Sequence, residues 1–418
     1  MPRIAVVGAG ISGLACAWLL ARRHEVVLFE SGRHAGGHAH TLDATVDGVT
    51  HPVDTGFLVY NDRTYPNLVK LFSRLDVESA NAEMSFSVRI GDGALEWSGR
   101  NLATVFAQAS NLVRPRFLRM LSDLLRFNRE AARLARDGEP VSGTLGEFLD
   151  ARGFGRELRE LYLIPMAACI WFTPATQINR FPLATFLRFC ENHGLFSVAG
   201  GPQWRSVKGG AREYVKKLAA AIPDVRLSNR VRQVQRFADR VELTTEHGTE
   251  RFDQVVLATH ADQSLALLEH PSDEERAVLS AIPYQLNRAT LHTDEQLLPR
   301  RRRAWASWNY HAPKPELPEE PVCLTCLVNR LQPVPFASPL MLSVNPVQAP
   351  RDDRVLGSFD FFHPVFLEDS DQAKTRLASL QGRDRTWFCG AWTRNGFHED
   401  GLVSAMNVSR LLGVPEPW

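Results

Sequence analysis

The first thirty residues alternate between short apolar runs and a glycine-containing turn. Residues 4–7 and 26–29 have the length and the β-branched content of buried strands. Between them, residues 11–21 carry apolar side chains at the spacing of one helix face. This pattern predicts a β-α-β unit at the start of the chain.

The same patterns continue along the chain and predict further helices and two groups of strands. Helical spacing covers residues 101–137, 144–153, 156–163 and 183–192, and another helix follows the glycine pair at 209–210. Short strands are predicted within 225–259, a second sheet within 283–366, and a strand and a helix within 386–413. Because β/α character occurs at both ends and in the middle of the chain, the predicted fold class is α/β.

Composition and charge exclude several classes of function. Lys and Arg total 48 and Asp and Glu total 47, so the net charge of +1 provides no field for binding nucleic acid. A chain of 418 residues is expected to form two units with a sizeable core. Because the first strand begins at residue 3, no secretory signal peptide is predicted. The only C-x-x-C pair, Cys323 and Cys326, has no second pair, which predicts core cysteines, no metal site and a reduced, cytoplasmic setting.

A glycine motif follows the first strand. Gly8, Gly10 and Gly13 form G-x-G-x-x-G between the strand and the helix. In such a turn the first glycine forms the bend, the second lets a pyrophosphate approach the backbone, and the third lets helix and strand pack closely. Glu30 ends the second strand, where a carboxylate accepts hydrogen bonds from ribose hydroxyls. The motif therefore predicts a dinucleotide site at the helix N-terminus.

Three further segments follow in an order that is typical of flavoproteins. They are Arg33, Gly36 and Gly37 with "VDTGF" (53–57), "FDQVVLATHADQ" (252–263) and "FCGAWTRNGFHEDGLVSAMNVSRLLG" (388–413). Together they resemble the superfamily of amine oxidases, phytoene desaturases and protoporphyrinogen oxidases. The resemblance implies FAD as cofactor and a Rossmann-type FAD-binding domain with an interleaved α+β substrate domain. The implied FAD domain comprises residues 1–75, 205–270 and 375–418, and the substrate domain comprises 76–204 and 271–374.

The motif and the resemblance together define the candidate FAD-binding residues. In the first segment they are Gly8, Gly10, Ile11, Ser12, Gly13, Glu30, Ser31, Arg33, Gly36, Gly37, His38, Thr55, Gly56 and Phe57. In the later segments they are Val231, Ala258, Thr259, Gly390, Ala391, Glu399, Asp400, Gly401 and Leu402. A helix starting near Gly401 is expected to point its N-terminus at the flavin, where it stabilises negative charge on the reduced ring.

Several longer segments make the resemblance more specific, to one branch of the superfamily. "GGHAHT", "HPVDTGFLVYNDRTYPNLVKLF", "FPLATFLRFCENHGLF", "PQWRSVKGGAREYVKKL", "WASWNYH" and "GFHEDGL" resemble one bacterial branch of the superfamily that is linked to lipid modification. One activity in that branch is desaturation of methylated fatty acyl chains on the way to furan fatty acids. The resemblance implies hydride transfer from a C–H bond of an apolar small molecule or phospholipid acyl chain to flavin N5, giving a C=C bond. The sequence does not identify the electron acceptor.

Histidines supply most of the candidate catalytic residues. His38 follows the glycine pair, where the superfamily usually has arginine. Three roles are open for it: a hydrogen bond near the cofactor, proton transfer at the flavin, or metal binding or a covalent flavin link. His193, Tyr310, His311 and His398 are the other candidates, because they are polar residues among apolar neighbours or beside the implied flavin-facing turn.

Lysine placement separates two of the possible functions. Amine oxidases of the superfamily often place a lysine near flavin N5, and this chain has no lysine between residues 218 and 313. Lys314 lies in a proline-rich segment, and Lys208 precedes a glycine pair. This disfavours an amine oxidase, which stays the first alternative. A non-redox flavoprotein such as an isomerase or hydratase and a lipid-binding module are the others.

A basic stripe on the helix predicted at 101–137 has two interpretations. Its members are Arg119, Arg126, Arg129, Arg133 and Arg136, with Phe117, Leu118, Leu121, Leu124 and Leu125 assigned to the opposite stripe. The stripe is either a solvated face or a contact to anionic lipid, and "PRRRRAW" (299–305) adds a second basic patch. The lipid interpretation predicts a peripheral location on the inner membrane.

Overall fold

The computed structural model describes residues 1–137, 141–172, 175–196, 201–314 and 322–418. Its strands are β1 (Arg3–Val7), β2 (Glu25–Phe29), β3 (Thr41–Val46), β4 (Val49–Asp54), β5 (Tyr60–Asn61), β6 (Ser79–Ala82), β7 (Phe86–Ile90), β8 (Leu95–Ser98), β9 (Trp204–Val207), β10 (Asp224–Arg226), β11 (Val231–Arg236), β12 (Val241–Thr245), β13 (Gly248–Phe252), β14 (Gln254–Leu257), β15 (Tyr284–His292), β16 (Trp308–Ala312), β17 (Cys323–Leu327), β18 (Met341–Val344), β19 (Val355–Pro364) and β20 (Thr386–Phe388).

The helices alternate with these strands. They are α1 (Ile11–Leu20), α2 (Pro66–Arg74), α3 (Leu102–Val105), α4 (Pro115–Asp137), α5 (Leu145–Ala151), α6 (Arg156–Leu158), α7 (Ile164–Trp171), α8 (Ala175–Ile178), α9 (Leu183–Asn192), α10 (Arg212–Ala220), α11 (Ala261–Leu267), α12 (Asp273–Ser280), α13 (Val328–Leu331), α14 (Glu368–Leu380) and α15 (His398–Leu411). Short 3₁₀ helices span Ala109–Val113, Glu295–Leu297, Arg302–Ala304, Asp352–Arg354, Arg383–Arg385 and Ala391–Thr393, and a π turn spans Arg159–Leu163.

A five-stranded parallel sheet organises the predicted nucleotide-binding half. Its strand order is β10-β2-β1-β14-β20, so strands from three distant parts of the chain lie side by side. Helices α1, α10 and α15 cover one face. The β11–β13 sheet, α12 and α14 cover the other. This arrangement confirms the α/β fold class with a Rossmann-type core, whereas the domain boundaries stay a prediction.

A seven-stranded mixed sheet organises the other half. Its order is β19-β15-β18-β17-β16-β7-β8, with β16 and β7 parallel and the other pairs antiparallel. The segment from α4 to α9 packs with this sheet in one hydrophobic core. Cys323 and Cys326 are buried in β17, as the sequence predicts. No helix in the described ranges is long and apolar enough to cross a bilayer.

The region predicted as one helix over 101–137 is divided into three pieces. A short α3 and a 3₁₀ turn precede the long α4, which begins at Pro115 because proline at the first helical position needs no backbone partner. The inward face of α4 is formed by Phe117, Met120 and Phe127. The assignment of Leu118 and Leu125 to that face was wrong, because at about 100° per residue Leu118 lies one step beyond Phe117 and Leu125 lies two steps before Phe127. Their exposures are 42% and 60%.

A buried carboxylate, Asp54, joins the two halves at the end of β4. Its Oδ1 accepts hydrogen bonds from the Thr41 hydroxyl at 2.6 Å and the Ala211 amide at 2.8 Å. Its backbone exchanges two hydrogen bonds with the side chain of Gln332. Burial raises the pKa of Asp54 to about 7, although the hydrogen bonds that its carboxylate accepts from Thr41 and Ala211 oppose the rise. This junction holds the segment that continues to residues 55–57.

The glycine turn between β1 and α1 brings backbone against backbone. A Cβ on Gly13 would lie 1.7 Å from the Gly8 carbonyl oxygen, and one on Gly8 would lie 2.9 Å from the Ala258 oxygen of the segment after β14. Gly8 has φ +98°, in the left-handed region. By contrast, a Cβ on Gly10 would meet nothing within 4 Å. Gly8 and Gly13 therefore serve packing, and Gly10 faces open space.

The first prediction concerns the pH dependence of stability. Because the folded-state pKa of Asp54 lies above that of an unfolded aspartate, about 3.9, the folded protein holds an extra proton between these values. The stability from protonated Asp54 is fully present below pH 4 and is lost as pH rises through 7. Denaturant unfolding of wild type and Asp54→Asn should show the wild type losing up to about 4 kcal/mol relative to the variant over that window.

Asp43 provides the control for this measurement. It is exposed, and its hydrogen bond to Arg212 lowers its pKa. Asp43→Asn should therefore show the opposite sign, with wild type gaining relative to the variant as pH rises. A pH-independent difference for Asp54→Asn would contradict the prediction.

The second prediction compares two glycine substitutions. Gly13→Ala should lower the free energy of unfolding by about 3 kcal/mol or prevent folding, because the added methyl overlaps a backbone oxygen. Gly10→Ala should change it by only about 1 kcal/mol in cofactor-free protein. The same variant should weaken FAD binding about tenfold or more, measured by titration of flavin fluorescence, because the methyl occupies the space predicted for the pyrophosphate. Equal effects of both variants on stability would contradict the assignment of Gly13 to packing and of Gly10 to open space.

Candidate functional site

A cavity of about 1130 Å³ runs from the carboxyl ends of β1 and β2 into the space beside the seven-stranded sheet. One end is formed by the glycine turn, Glu30 and the segment before α11. The other end is formed by α7, α9 and strands of the larger sheet. A cavity that joins both halves can hold an extended dinucleotide and still leave an apolar compartment beside it.

The glycine turn forms a cradle at the first end of this cavity. Gly37 has φ +57°, and a Cβ there would lie 3.1 Å from the Gly10 Cα. The amide of Gly36 donates to the Ala9 carbonyl at 2.8 Å. Two glycine-containing segments thus approach each other beside the N-terminus of α1, where free amide groups favour an anion. The residues present fit a pyrophosphate.

Glu30 closes the cradle. Its carboxylate accepts hydrogen bonds from the Ala9 amide at 2.8 Å and the Gly32 amide at 2.7 Å. A carboxylate offers about four acceptor positions, so it can still accept from ribose hydroxyls on the cavity side. Asn229, Arg230 and Arg232 line the same end, and none of these three was identified from the sequence.

Most candidate FAD residues share this lining. Those in it are Gly8, Gly10, Ile11, Ser12, Glu30, Ser31, Gly36, Gly37, His38, Thr55, Gly56, Phe57, Val231, Ala258, Thr259, Gly390 and Ala391. Gly13 lies behind it as a packing residue. Arg33 is exposed and lies outside it.

The C-terminal candidates need correction, because α15 begins at His398 rather than near Gly401. Gly401 packs α15 against α1, since a Cβ there would lie 2.8 Å from the Ser12 hydroxyl. Leu402 is fully buried core. The Asp400 carboxylate accepts from the Phe397 amide at 3.0 Å and thereby caps its own helix. None of these three lines the cavity, so each supports the site from behind.

Glu399 also has a structural partner. Its carboxylate accepts from the Asn67 amide, the Asn67 side chain and the Leu68 amide, at 3.0, 2.6 and 2.9 Å. These donors lie in the first turn of α2, where backbone N–H groups lack helical partners. Glu399 therefore ties α15 to α2 and lies outside the cavity lining.

Four histidines meet where the two halves of the cavity join: His38, His260, His363 and His398. The His38 ring lies 6.2 Å from that of His260 and 5.2 Å from that of His363, centroid to centroid. Burial lowers the pKa of His38 and His260 to about 4 and of His363 and His398 to about 3. The cluster is therefore neutral at pH 7 and presents polar groups without charge.

The sequence identified only two members of this histidine cluster. His363 follows Phe359 and Phe361 at a spacing of two along β19, so the three side chains share one face of the sheet. Phe361 contacts His38, with ring centroids 5.3 Å apart. The alternation along β19 was visible in the sequence, but the contact of this strand face with His38 was not.

His38 is the histidine of the glycine-pair segment that reaches the cavity. His34 is exposed. His40 bonds to the Thr55 hydroxyl at 2.6 Å and packs on Phe359. His40 and His34 lie outside the lining, which leaves His38 as the candidate of this segment.

The remaining catalytic candidates are placed differently. His193 lines the cavity, but its Nδ1 bonds to the Phe189 carbonyl at 2.8 Å and its Nε2 to the Thr64 hydroxyl at 3.3 Å. Tyr310 and His311 lie outside the lining, which corrects their assignment. Both belong to β16, an interior strand between β17 and β7, and successive side chains of a strand point to opposite faces.

His398 lines the cavity at the start of α15. Its ring stacks on Phe57 at 3.7 Å, and its Nε2 lies 3.0 Å from the Tyr214 hydroxyl. This holds the imidazole against the segment after β4, beside the predicted flavin site.

The far compartment of the cavity is apolar. Its lining includes Phe86, Trp97, Tyr162, Met166, Cys169, Ile170, Trp171, Phe172, Phe189, Trp204 and Trp308. Six of these residues, from Tyr162 to Phe172, come from one stretch of the chain that includes α7. Charged lining residues in the described ranges are Glu30, Arg100, Arg230 and Arg232, and no lysine is among them.

Comparisons with known proteins connect this geometry to a family. The chain is 29% identical over 279 residues to the carotenoid phi-ring synthase of Streptomyces griseus, covering 62% of this chain and 52% of that protein. It is 27% identical over 273 residues to AofH of Mycobacterium tuberculosis, described as a flavin-containing monoamine oxidase, covering 61% and 56%. The chain thus spans about half the length of these relatives.

A solved structure supports the fold. The fatty acid isomerase from P. acnes that produces CLA superposes with a TM-score of 0.68 at 14% identity, covering 99% of this chain and 98% of that one. The family model for flavin containing amine oxidoreductases matches residues 11–333, well over half of the chain. The protein therefore belongs to the flavin containing amine oxidoreductase family, and its cofactor is FAD.

Proposed function

We propose that the protein oxidises a C–H bond of an apolar acyl substrate to a C=C bond. In this reaction a CH–CH unit loses two hydrogens, and the bound FAD takes up two electrons and two protons. Oxygen or another electron acceptor then reoxidises the cofactor. The supporting observation is the continuity of the FAD cradle with an apolar compartment lined by aromatic and aliphatic side chains.

The charges of the lining support an uncharged reacting group. Glu30, Arg230 and Arg232 lie at the nucleotide end, and Arg100 is the remaining charged lining residue in the described ranges. An ammonium substrate would have to leave water with no carboxylate beside it in the apolar compartment, which is costly. An acyl chain gains free energy from the same transfer.

The chain's own residues then orient and shield the substrate. Trp171, Phe172 and Phe189 form a rigid aromatic wall, with Trp171 and Phe189 ring centroids 4.7 Å apart. Such a wall restricts the acyl chain to few conformations beside the cofactor and excludes water. The neutral histidine cluster supplies the polar groups nearest the junction.

Amine oxidation is the second candidate function. The similarity to AofH favours it. It requires a proton acceptor and an aromatic cage near the cofactor, and the family lysine near N5 has no counterpart in the described lining. The experiment below separates the two functions.

We also propose that the substrate is taken from a lipid surface. Five exposed apolar residues occur within one continuous stretch of the chain, on α3, the following 3₁₀ turn and the outer face of α4: Leu102, Leu112, Val113, Leu118 and Leu125. We name them the apolar tip. Leu102 and Val113 are 79% and 80% exposed, unusual for large apolar side chains in water.

The surroundings of the apolar tip favour an anionic membrane as its partner. The 3₁₀ turn Arg302–Ala304 of the second basic patch contacts α3. Arg116 lies 3.6 Å from the Glu157 carboxylate and 3.9 Å from that of Glu160, Arg119 lies 3.2 Å from Glu157, and Arg114 adds a further positive charge just before α4. Gly99 and Arg100, which line the cavity, directly precede α3 and are exposed. An acyl chain could enter here from the bilayer.

The third prediction tests the substrate class through the flavin spectrum. FAD-loaded protein is mixed anaerobically with phosphatidylglycerol vesicles carrying methyl-branched unsaturated acyl chains, or with benzylamine or spermine. The lipid alone should bleach the flavin absorbance. Ile170→Trp should slow this at least tenfold, because the indole fills the apolar compartment, whereas Leu411→Trp, at an exposed position, should not. Bleaching by an amine would replace the proposal with amine oxidation, and no bleaching by any of them would exclude both.

The fourth prediction tests the lipid surface. Wild-type protein should sediment with phosphatidylglycerol vesicles more than with phosphatidylcholine vesicles, and added salt should weaken this because it screens arginine charges. The double variant Val113→Asp, Leu118→Asp should reduce binding at least tenfold, since each buried apolar side chain contributes about 1.5 kcal/mol or more. Leu227→Asp, at another exposed apolar position, serves as control. Unchanged binding of the double variant would exclude the apolar tip as the contact.

A further inference from the structure

His363 lies at the junction of the two halves of the cavity. Its ring stacks on Phe172 on the apolar side, with centroids 4.6 Å apart, and packs edge-on against His38 on the cofactor side at 5.2 Å. Its Nδ1 lies 2.9 Å from the Asn287 side-chain nitrogen. Its Nε2 forms no hydrogen bond with a described residue. The role of this imidazole depends on which nitrogen carries the proton.

Backbone groups decide the orientation of the amides that lead to His363. The Arg288 amide, which can only donate, bonds to Oδ1 of Asn345 at 3.0 Å. The other end of the Asn345 amide faces the Val322 carbonyl, which can only accept, at 3.4 Å. Asn345 is thereby fixed with its Nδ2 as a donor, and that nitrogen lies 2.7 Å from Oδ1 of Asn287.

Asn287 is fixed in turn. It is fully buried, and its Oδ1 accepts from Asn345 at 2.7 Å and from the Gln285 side chain at 3.2 Å. Its Nδ2 faces the Gln285 carbonyl at 3.4 Å and Nδ1 of His363 at 2.9 Å. Rotating this amide by 180° would set nitrogen against nitrogen at Asn345 and oxygen against oxygen at Gln285. Asn287 therefore donates to His363.

The tautomer of His363 follows from this chain of donors. Because Nδ1 accepts from Asn287, the proton of the neutral ring must be on Nε2. Protonating Nδ1 would set two donors against each other in a buried site. His38 and His260 are the titratable groups that face His363, and neither brings a negative charge. His363 is thus held neutral, with an N–H directed away from the amide network.

We propose that His363 is a permanent hydrogen-bond donor to an acceptor atom on the bound flavin ring, and that it does not serve as a base for the substrate. His38, with which it packs, belongs to the glycine-pair segment of the cofactor cradle, which places the donor on the flavin side. A donor at an electron-rich ring favours the reduced cofactor. This inference adds a residue to the proposed function, but the tautomer can be measured without any substrate.

The fifth prediction is a direct measurement of the tautomer. Protein labelled with ¹⁵N-histidine is examined by long-range ¹H–¹⁵N correlation, without and with FAD, from pH 5.5 to 9, with His363→Phe for assignment. The His363 signal should show a protonated Nε2 and an unprotonated Nδ1 throughout, and FAD should shift the Nε2 proton downfield. A protonated Nδ1 or an imidazolium within this range would overturn the proposal whatever the substrate is.

The reduction potential of the flavin distinguishes whether the flavin or the substrate accepts the hydrogen bond from His363. In FAD-loaded protein, His363→Phe should make the reduction potential more negative, and His363→Gln, which keeps an N–H donor, should restore part of the shift. His193→Gln is the matched control, because both ring nitrogens of His193 are already bonded within the protein. An unchanged potential together with a raised KM for the substrate would show that the donor serves the substrate, which overturns the flavin assignment.

Discussion

The backbone contact between Gly8 and Gly13 is the constraint on which the rest of the structure depends. No side chain fits where the Gly8 oxygen meets α1, with a Cβ position only 1.7 Å away. This approach places the N-terminus of α1 beside Gly10 and lets the Gly36–Gly37 pair close over it. The same closeness recurs where Gly401 meets Ser12, so α15 joins the cradle from the other end of the chain. Small residues thus hold distant segments around one nucleotide site.

The second organising feature is a group of buried imidazoles that carry no charge. Where the cradle opens into the apolar compartment, the protein provides imidazoles whose pKa values are lowered mainly by burial and, for His38 and His363, also by neighbouring imidazoles. Neutral rings avoid the cost of an unpaired ion in a dry site and keep their hydrogen-bonding capacity. The side-chain amides of Asn345 and Asn287 fix the tautomer of His363, so that its Nε2 carries the proton. Such a site suits a reaction in which the cofactor carries the electrons and the protein supplies orientation and dipoles.

Side chains outside the cavity link segments that are distant along the chain. Asp54 connects β4, the start of α10 and Gln332 of the other half. Glu399 connects α15 to α2. Both are acidic residues close to the cofactor segments along the chain, and both are occupied by backbone donors. Proximity in sequence to a cofactor motif is therefore a weak guide to contact, because a carboxylate near a helix N-terminus is equally suited to capping it.

The sequence by itself determined the features that arise within a few residues. The glycine spacing, the strand that ends at Glu30 and the periodicity of α9 and α10 are local, because turn geometry and amphipathic spacing depend on near neighbours. Only the tertiary structure decided what meets across distance. It set β1 between β2 and β14, brought His260 and His363 to His38, and turned Leu118 and Leu125 to the outside of α4. These outcomes depend on which surfaces bury each other, and contacts between residues hundreds of positions apart leave no periodic signal in the chain.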